Sequence, residues 1–148
     1  MRGRKGPSWS VDINAPRDRV FAYVADISRH PEWGMDLIEV DGPRGVAQEG
    51  FTYQTAGTLR GKRNESTLFV SALQAPELLE FEAQDSSGIV GHVFVFEATG
   101  DGSTHVTRTI YAIVQPATAP LRFILGRGAI NKNFNGALQK LKETMERG

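Results

Sequence analysis

Two polar residues of this chain sit inside apolar runs that alternate with strand periodicity, and each could act on a bound molecule. Around residues 89–99, Val90, His92, Phe94 and Phe96 share one face, while Ile89, Val93 and Val95 share the other. Both faces are apolar, so spacing alone leaves open which one points inward. If the aromatic face lines a cavity, His92 is a polar group within it, and a neutral imidazole there could give or take a proton near pH 7. The alternative is a histidine satisfied by a neighbouring strand or by solvent. In the next run Val106, Arg108, Ile110 and Ala112 share a face opposite Thr107, Thr109 and Tyr111. Arg108 is either an inward charge meeting an acidic ligand group or Glu97, or a residue at an open rim. Tyr53 and Tyr111 carry hydroxyls on apolar bodies, which suits them to orienting a ligand carbonyl or to ordinary strand packing. Trp33 belongs at the mouth of such a cavity or in the core. His92 is therefore the candidate catalytic residue. Trp33, Tyr53, Arg108 and Tyr111, with Phe94 and Phe134 as apolar lining, are its companions in a candidate ligand cavity.

Other chemistries find no support. His30, His92 and His105 stand apart with no His-Glu-x-x-His or comparable pairing, so no metal site is expected. Gly57 to Lys62 is one residue too short for a phosphate-binding loop and lacks the hydroxyl residue that should follow. The Gly100-Asp101-Gly102 turn precedes a strand rather than a helix N-terminus. No Gly-x-Ser-x-Gly elbow is present. There is no cysteine, which removes disulfides, thiol catalysis and cysteine-bound zinc. No cofactor is implied.

The elements that would position these residues follow from the pattern. Trp9, Val11 and Ile13 alternate with Ser8, Ser10, Asp12 and Asn14, a half-buried strand. Pro16 suits the first turn of a helix that buries Val20, Phe21, Val24 and Ile27. Asp26 or Ser28 can cap a second short helix through Pro31, Glu32 and Trp33. Six further strands, roughly 36–41, 50–60, 63–73, 77–85, 89–99 and 103–114, are separated by short turns and predict an antiparallel meander. Leu121 to Met145 is the one long helical stretch, with Phe134, Leu138, Leu141 and Met145 on one face. Gly126 and Gly128 either break its first third or leave room for a ligand or gate. The fold class is α+β, a seven-stranded curved antiparallel sheet in the order β-α-α-β6-α wrapped around the terminal helix, which alone is long enough to cover the apolar face.

Composition agrees with one soluble domain spanning residues 1–148, with an ordered core of about 8–146. Apolar residues make up 40% and charged residues 23%, and 17 basic residues balance 17 acidic ones, so no global field favours nucleic acid. Arg2, Arg4 and Lys5 read as a frayed, solvated tail. The absence of a signal-peptide pattern and of a membrane-spanning run makes a cytoplasmic location the expectation, without integral membrane association. Whether the protein is a monomer or a homodimer does not follow from sequence.

The chain resembles the START-like, birch-pollen-allergen-like superfamily (SRPBCC), in particular its polyketide cyclase/dehydrase and lipid-transport branch. The resemblance is carried by Val11-Asp12-Ile13-Asn14-Ala15-Pro16, Val20-Phe21-Ala22-Tyr23-Val24-Ala25-Asp26 and His30-Pro31-Glu32-Trp33. Gly50 and Ala137-Leu138-Gln139-Lys140-Leu141-Lys142 add to it, so it spans about residues 8 to 146. It implies a helix-grip fold with a hydrophobic cavity between sheet and terminal helix, used by relatives for lipids, sterols, quinones or polyketides. The leading expectation is a binding protein for an apolar small molecule. A polyketide cyclase or dehydratase, with His92 as general base and Tyr53, Tyr111 or Arg108 stabilising an enolate, is the enzymatic alternative. A protein-interaction module is the third.

Overall fold

A computed structural model of the chain describes residues 4–34, 37–59, 62–86, 88–100, 102–114 and 134–147. The alternation at the N-terminus does form a strand, β1 (Arg4–Ile13), with Val11 and Ile13 buried and Ser8, Ser10 and Asp12 exposed. It begins earlier than the expected tail allowed. Arg4 and Lys5 pair with Ala112 and Tyr111, and an irregularity between Lys5 and Ser8 takes up Gly6-Pro7. A bulge there accommodates a proline that has no N–H to give to the ladder.

Helix α1 (Arg17–Val24) buries Val20, Phe21, Tyr23 and Val24. Pro16 sits one position before it, extended at φ −63° and ψ 146°, and its carbonyl accepts from the N–H of Val20 at 3.0 Å. The expected second helix is a 3-10 turn (Ile27–Glu32) that buries Ile27 and His30. Asp26 precedes it without capping it. Its carboxylate instead accepts from the Ser28 hydroxyl at 2.5 Å.

Strands β2 (Leu37–Asp41), β3 (Thr52–Leu59), β4 (Lys62–Gln74), β5 (Leu78–Asp85), β6 (Gly88–Thr99) and β7 (Ser103–Val114) follow as the meander predicted. They form one seven-stranded antiparallel sheet in the order β1-β7-β6-β5-β4-β3-β2. Register shifts between Val70 and Ala72 and between Ile89 and Val90 add local bends. Gly50, just before β3, has φ +91°, a left-handed conformation that glycine takes without a Cβ penalty. Its N–H donates to Val70 O at 2.8 Å and fastens the entry of β3 onto β4.

The terminal helix, α2 (134–147), lays Ala137, Leu138, Leu141 and Met145 into the core shared with Val11, Ile13, Phe94, Phe96 and Val106. Burying a leucine of this kind contributes about 1.5–3 kcal/mol. Polar bonds secure its last turns. Arg19 donates to Met145 O (2.5 Å), Lys142 to Asp12 O (2.8 Å), and the Asn14 N–H to the Glu146 carboxylate (2.8 Å). The predicted helical residues 121–133, including Gly126 and Gly128, lie outside the described residues.

Candidate functional site

Contacts decide the question periodicity left open for β6. Phe94 and Phe96 are 0% and 1% exposed and belong to the core beneath α2, so their face, with His92, is the inner one. On β7 the alternation is cleaner: Thr104, Val106, Arg108 and Ile110 are buried, while His105, Thr107, Thr109 and Tyr111 are half-buried on the other face. Pairing then sets Phe94 beside Arg108, and Arg108 beside Trp9 of β1. His92 lies between Phe81 of β5 and Ile110 of β7.

Arg108 is a cation enclosed by rings. Its guanidinium carbon stands 4.9 Å from the centre of the Phe94 ring and 4.2 Å from that of Phe134. Each such contact contributes about 0.5–2 kcal/mol when shielded from water. Nη2 of Arg108 donates to Nδ1 of His92 at 3.0 Å. Burial lowers the Arg108 pKa to about 9, which leaves it charged at neutral pH. Taking an ion out of water costs several kcal/mol, so the ring contacts and the one hydrogen bond found among the described residues offset this burial only in part. Nε of Arg108 is buried with no hydrogen-bond partner among the described residues.

The arginine dictates the state of the histidine. A guanidinium only donates, so Nδ1 of His92 must be bare and the proton of the neutral ring sits on Nε2. Burial, then the Arg108 charge, then His30 hold its pKa well below 6.5. The ring stacks on Phe81 (4.8 Å, 18°) and meets the Phe134 edge (5.9 Å, 82°). With Nδ1 engaged and Nε2 protonated, His92 is arranged to donate a hydrogen bond, not to withdraw a proton.

Trp33 and Tyr53 are also fully interior, at 2% and 1% exposure. Trp33 meets the Phe94 ring edge-on at 6.0 Å, so tryptophan and arginine converge on one phenyl ring. Trp33 Nε1 and the Tyr53 hydroxyl resemble Arg108 Nε in lacking partners among the described residues. Buried donors without acceptors are rare in native proteins, and three in one core call for an explanation.

Not every candidate joins this group. Tyr111 lies on the opposite face of β7 from Arg108, so a site on the inner face does not include it. Glu97 is exposed and pairs in register with His105, which removes it as a counter-ion for Arg108. Three contributors were not singled out from the sequence. Trp9 packs edge-on to Phe134 (5.0 Å), Phe81 stacks on His92, and His30 lies 5.9 Å from Phe81 and 4.8 Å from Trp33. His30 and His92, far apart in sequence, therefore border the same phenyl ring. Nε2 of His30 donates to Val24 O at 2.7 Å, and burial lowers its pKa to about 4. Alternation placed Trp9 on one face of its strand, but only strand register could bring Trp9 and Phe81 here.

Among the described residues no three His, Asp or Glu side chains gather as metal ligands, and no helix is long and apolar enough to cross a membrane. Similar folds occur in a Thermus thermophilus protein (19% identity, TM-score 0.76, 95% of this chain and 96% of the other). The Zhui aromatase/cyclase from a Streptomyces species is similar at 14% identity and TM-score 0.75, covering 95% and 93%. A START superfamily protein from Mycobacterium smegmatis is similar at 13% identity and TM-score 0.73, covering 97% and 98%. No curated protein matches the chain significantly. Residues 8–146 match the family described as polyketide cyclase / dehydrase and lipid transport, and the chain belongs to that family.

Proposed function

We propose that this protein binds a hydrophobic small molecule between the inner face of its sheet and α2, as a carrier or sequestering protein. The observation that carries the reading is the pair of unpartnered polar atoms, Trp33 Nε1 and Arg108 Nε, on residues that border the Phe94 ring, with Tyr53 Oη a third such atom in the same core. An apolar wall with a few orienting polar groups is the usual composition of a small-molecule site. Each unpaired donor is a place where a guest acceptor would restore a lost hydrogen bond. Family membership adds support, since lipid transport is part of the family's description.

The enzymatic reading, a cyclase or dehydratase acting on a polyketide-like substrate, draws on the same donors. Arg108 and the Nε2–H of His92 could stabilise a developing enolate. The general-base role for His92 does not fit its tautomer, so this version loses the base assigned to it. Titration with a fluorescent polyene or polyaromatic probe tests binding. Saturable fluorescence, competed by unlabelled apolar compounds, is expected, and its absence overturns the proposal. Native mass spectrometry of freshly purified protein would show whether a guest is retained.

A further inference from the structure

Resting on that reading of the inner face, we infer that the ligand carries a carboxylate, held in the plane of the Arg108 guanidinium. Phe94 and Phe134 cover Arg108, so its open approaches lie at the edge, where the N–H groups point. One of those donors is spent on His92 Nδ1. Nε stays buried with no acceptor among the described residues, in a residue only 8% exposed. The ion pairs among the described residues are Arg29–Glu32, Arg63–Glu39, His105–Asp12 and Lys142–Glu146, and none of them reaches Arg108.

The chemistry of the missing partner follows. A neutral carbonyl would satisfy one donor but leave the charge unbalanced. A doubly charged phosphate would bring more charge than one arginine balances. A carboxylate matches the arginine in charge and planarity, and its two oxygens can take two parallel N–H bonds. Its second oxygen also has lone pairs to spare for Trp33 Nε1, which borders the same Phe94 ring. The hydrocarbon beyond the carboxylate would then lie along Phe81 and its neighbours. Fatty acids and fused-ring aromatic acids both offer this chemistry.

The test compares each acid with its own methyl ester, which keeps the hydrocarbon and removes the charge. The pairs are cis-parinaric acid and 2-naphthoic acid with their esters, titrated at pH 7.5 into the full chain. Acid binding at least tenfold tighter than ester binding is expected in at least one pair, and which pair shows it separates fatty from aromatic sources. In R108M, and in R108Q as a second variant, the acid's advantage over its own ester should fall to within twofold. Acid and ester of equal affinity in the unaltered protein overturn the carboxylate assignment but leave the apolar site standing. Failure of all four compounds to bind overturns the underlying site, and the assignment with it.

Discussion

Nη2 of Arg108 donates to Nδ1 of His92 across 3.0 Å, between adjacent strands and beneath the ring of Phe134. The bond fixes the proton of the imidazole on Nε2 and adds a positive charge that opposes a second one. Long-range nitrogen–proton NMR should therefore show His92 as a neutral Nε2–H tautomer at pH 7. In R108M its pKa should rise, while staying below 6.5 because burial is the larger cause. A titration of His92 that is unchanged by R108M would contradict the coupling.

Acid should weaken the fold through His30. In the folded protein its pKa is about 4, against 6.5 when free, so the unfolded chain takes up the proton first. Stability is then complete above pH 6.5 and falls as pH drops through the window to 4. The loss from this residue approaches about 3 kcal/mol. His92 acts in the same direction. Urea denaturation from pH 7.5 to 4 measures the slope, and H30Q should flatten it.

Trp33 and Tyr53 each bury a polar atom that makes no hydrogen bond among the described residues. Removing those atoms should cost the empty protein little. Y53F, which takes away only the hydroxyl, is expected to melt within about 1 kcal/mol of the parent, since no bond is lost with the O–H. W33F, in contrast, also leaves a cavity at a site 2% exposed and should cost about 2 kcal/mol or more. A loss above about 2 kcal/mol in Y53F would reveal a partner for the hydroxyl and weaken its assignment to a ligand.

A methyl group at position 42 would meet Tyr53. An added Cβ at Gly42 falls 2.5 Å from Tyr53 Cδ2, and the ring, 1% exposed, has little room to retreat. G42A should cost about 1–3 kcal/mol by overpacking and shift the Tyr53 fluorescence or NMR signals. At Gly45 the space is open and only the backbone, at φ +88°, resists. G45A should cost about 1 kcal/mol and leave Tyr53 undisturbed.

Much of the fold was legible because its signals are local. Alternation and turn residues located all seven strands to within a few positions, and the four-three-four spacing of Phe134, Leu138, Leu141 and Met145 identified the buried face of α2. What local pattern could not supply was pairing. Phe81 stacks on His92 because β5 and β6 align those two residues, and no periodicity within either strand encodes the alignment. The inward face of β6 was ambiguous for the same reason: valines on one side and aromatics on the other are equally apolar. Arg4 and Lys5, read as a solvated tail, pair with Ala112 and Tyr111 because an irregularity at Gly6-Pro7 lets the ladder resume beyond the proline.

The strand order has a consequence for how the chain is made. The first strand lies at one edge and pairs only with the last, so Ser8 must find Thr109 across a separation of 101 residues. At the usual translation rates of about 5–20 residues per second, β1 emerges roughly 5–20 s before its partner exists. Throughout that interval its valine and isoleucine have no sheet to join, and the meander from β2 to β7 must assemble without it. Closure of the longest loop in the sheet is thus deferred until β7 has been made, and loop entropy makes it the natural slow step.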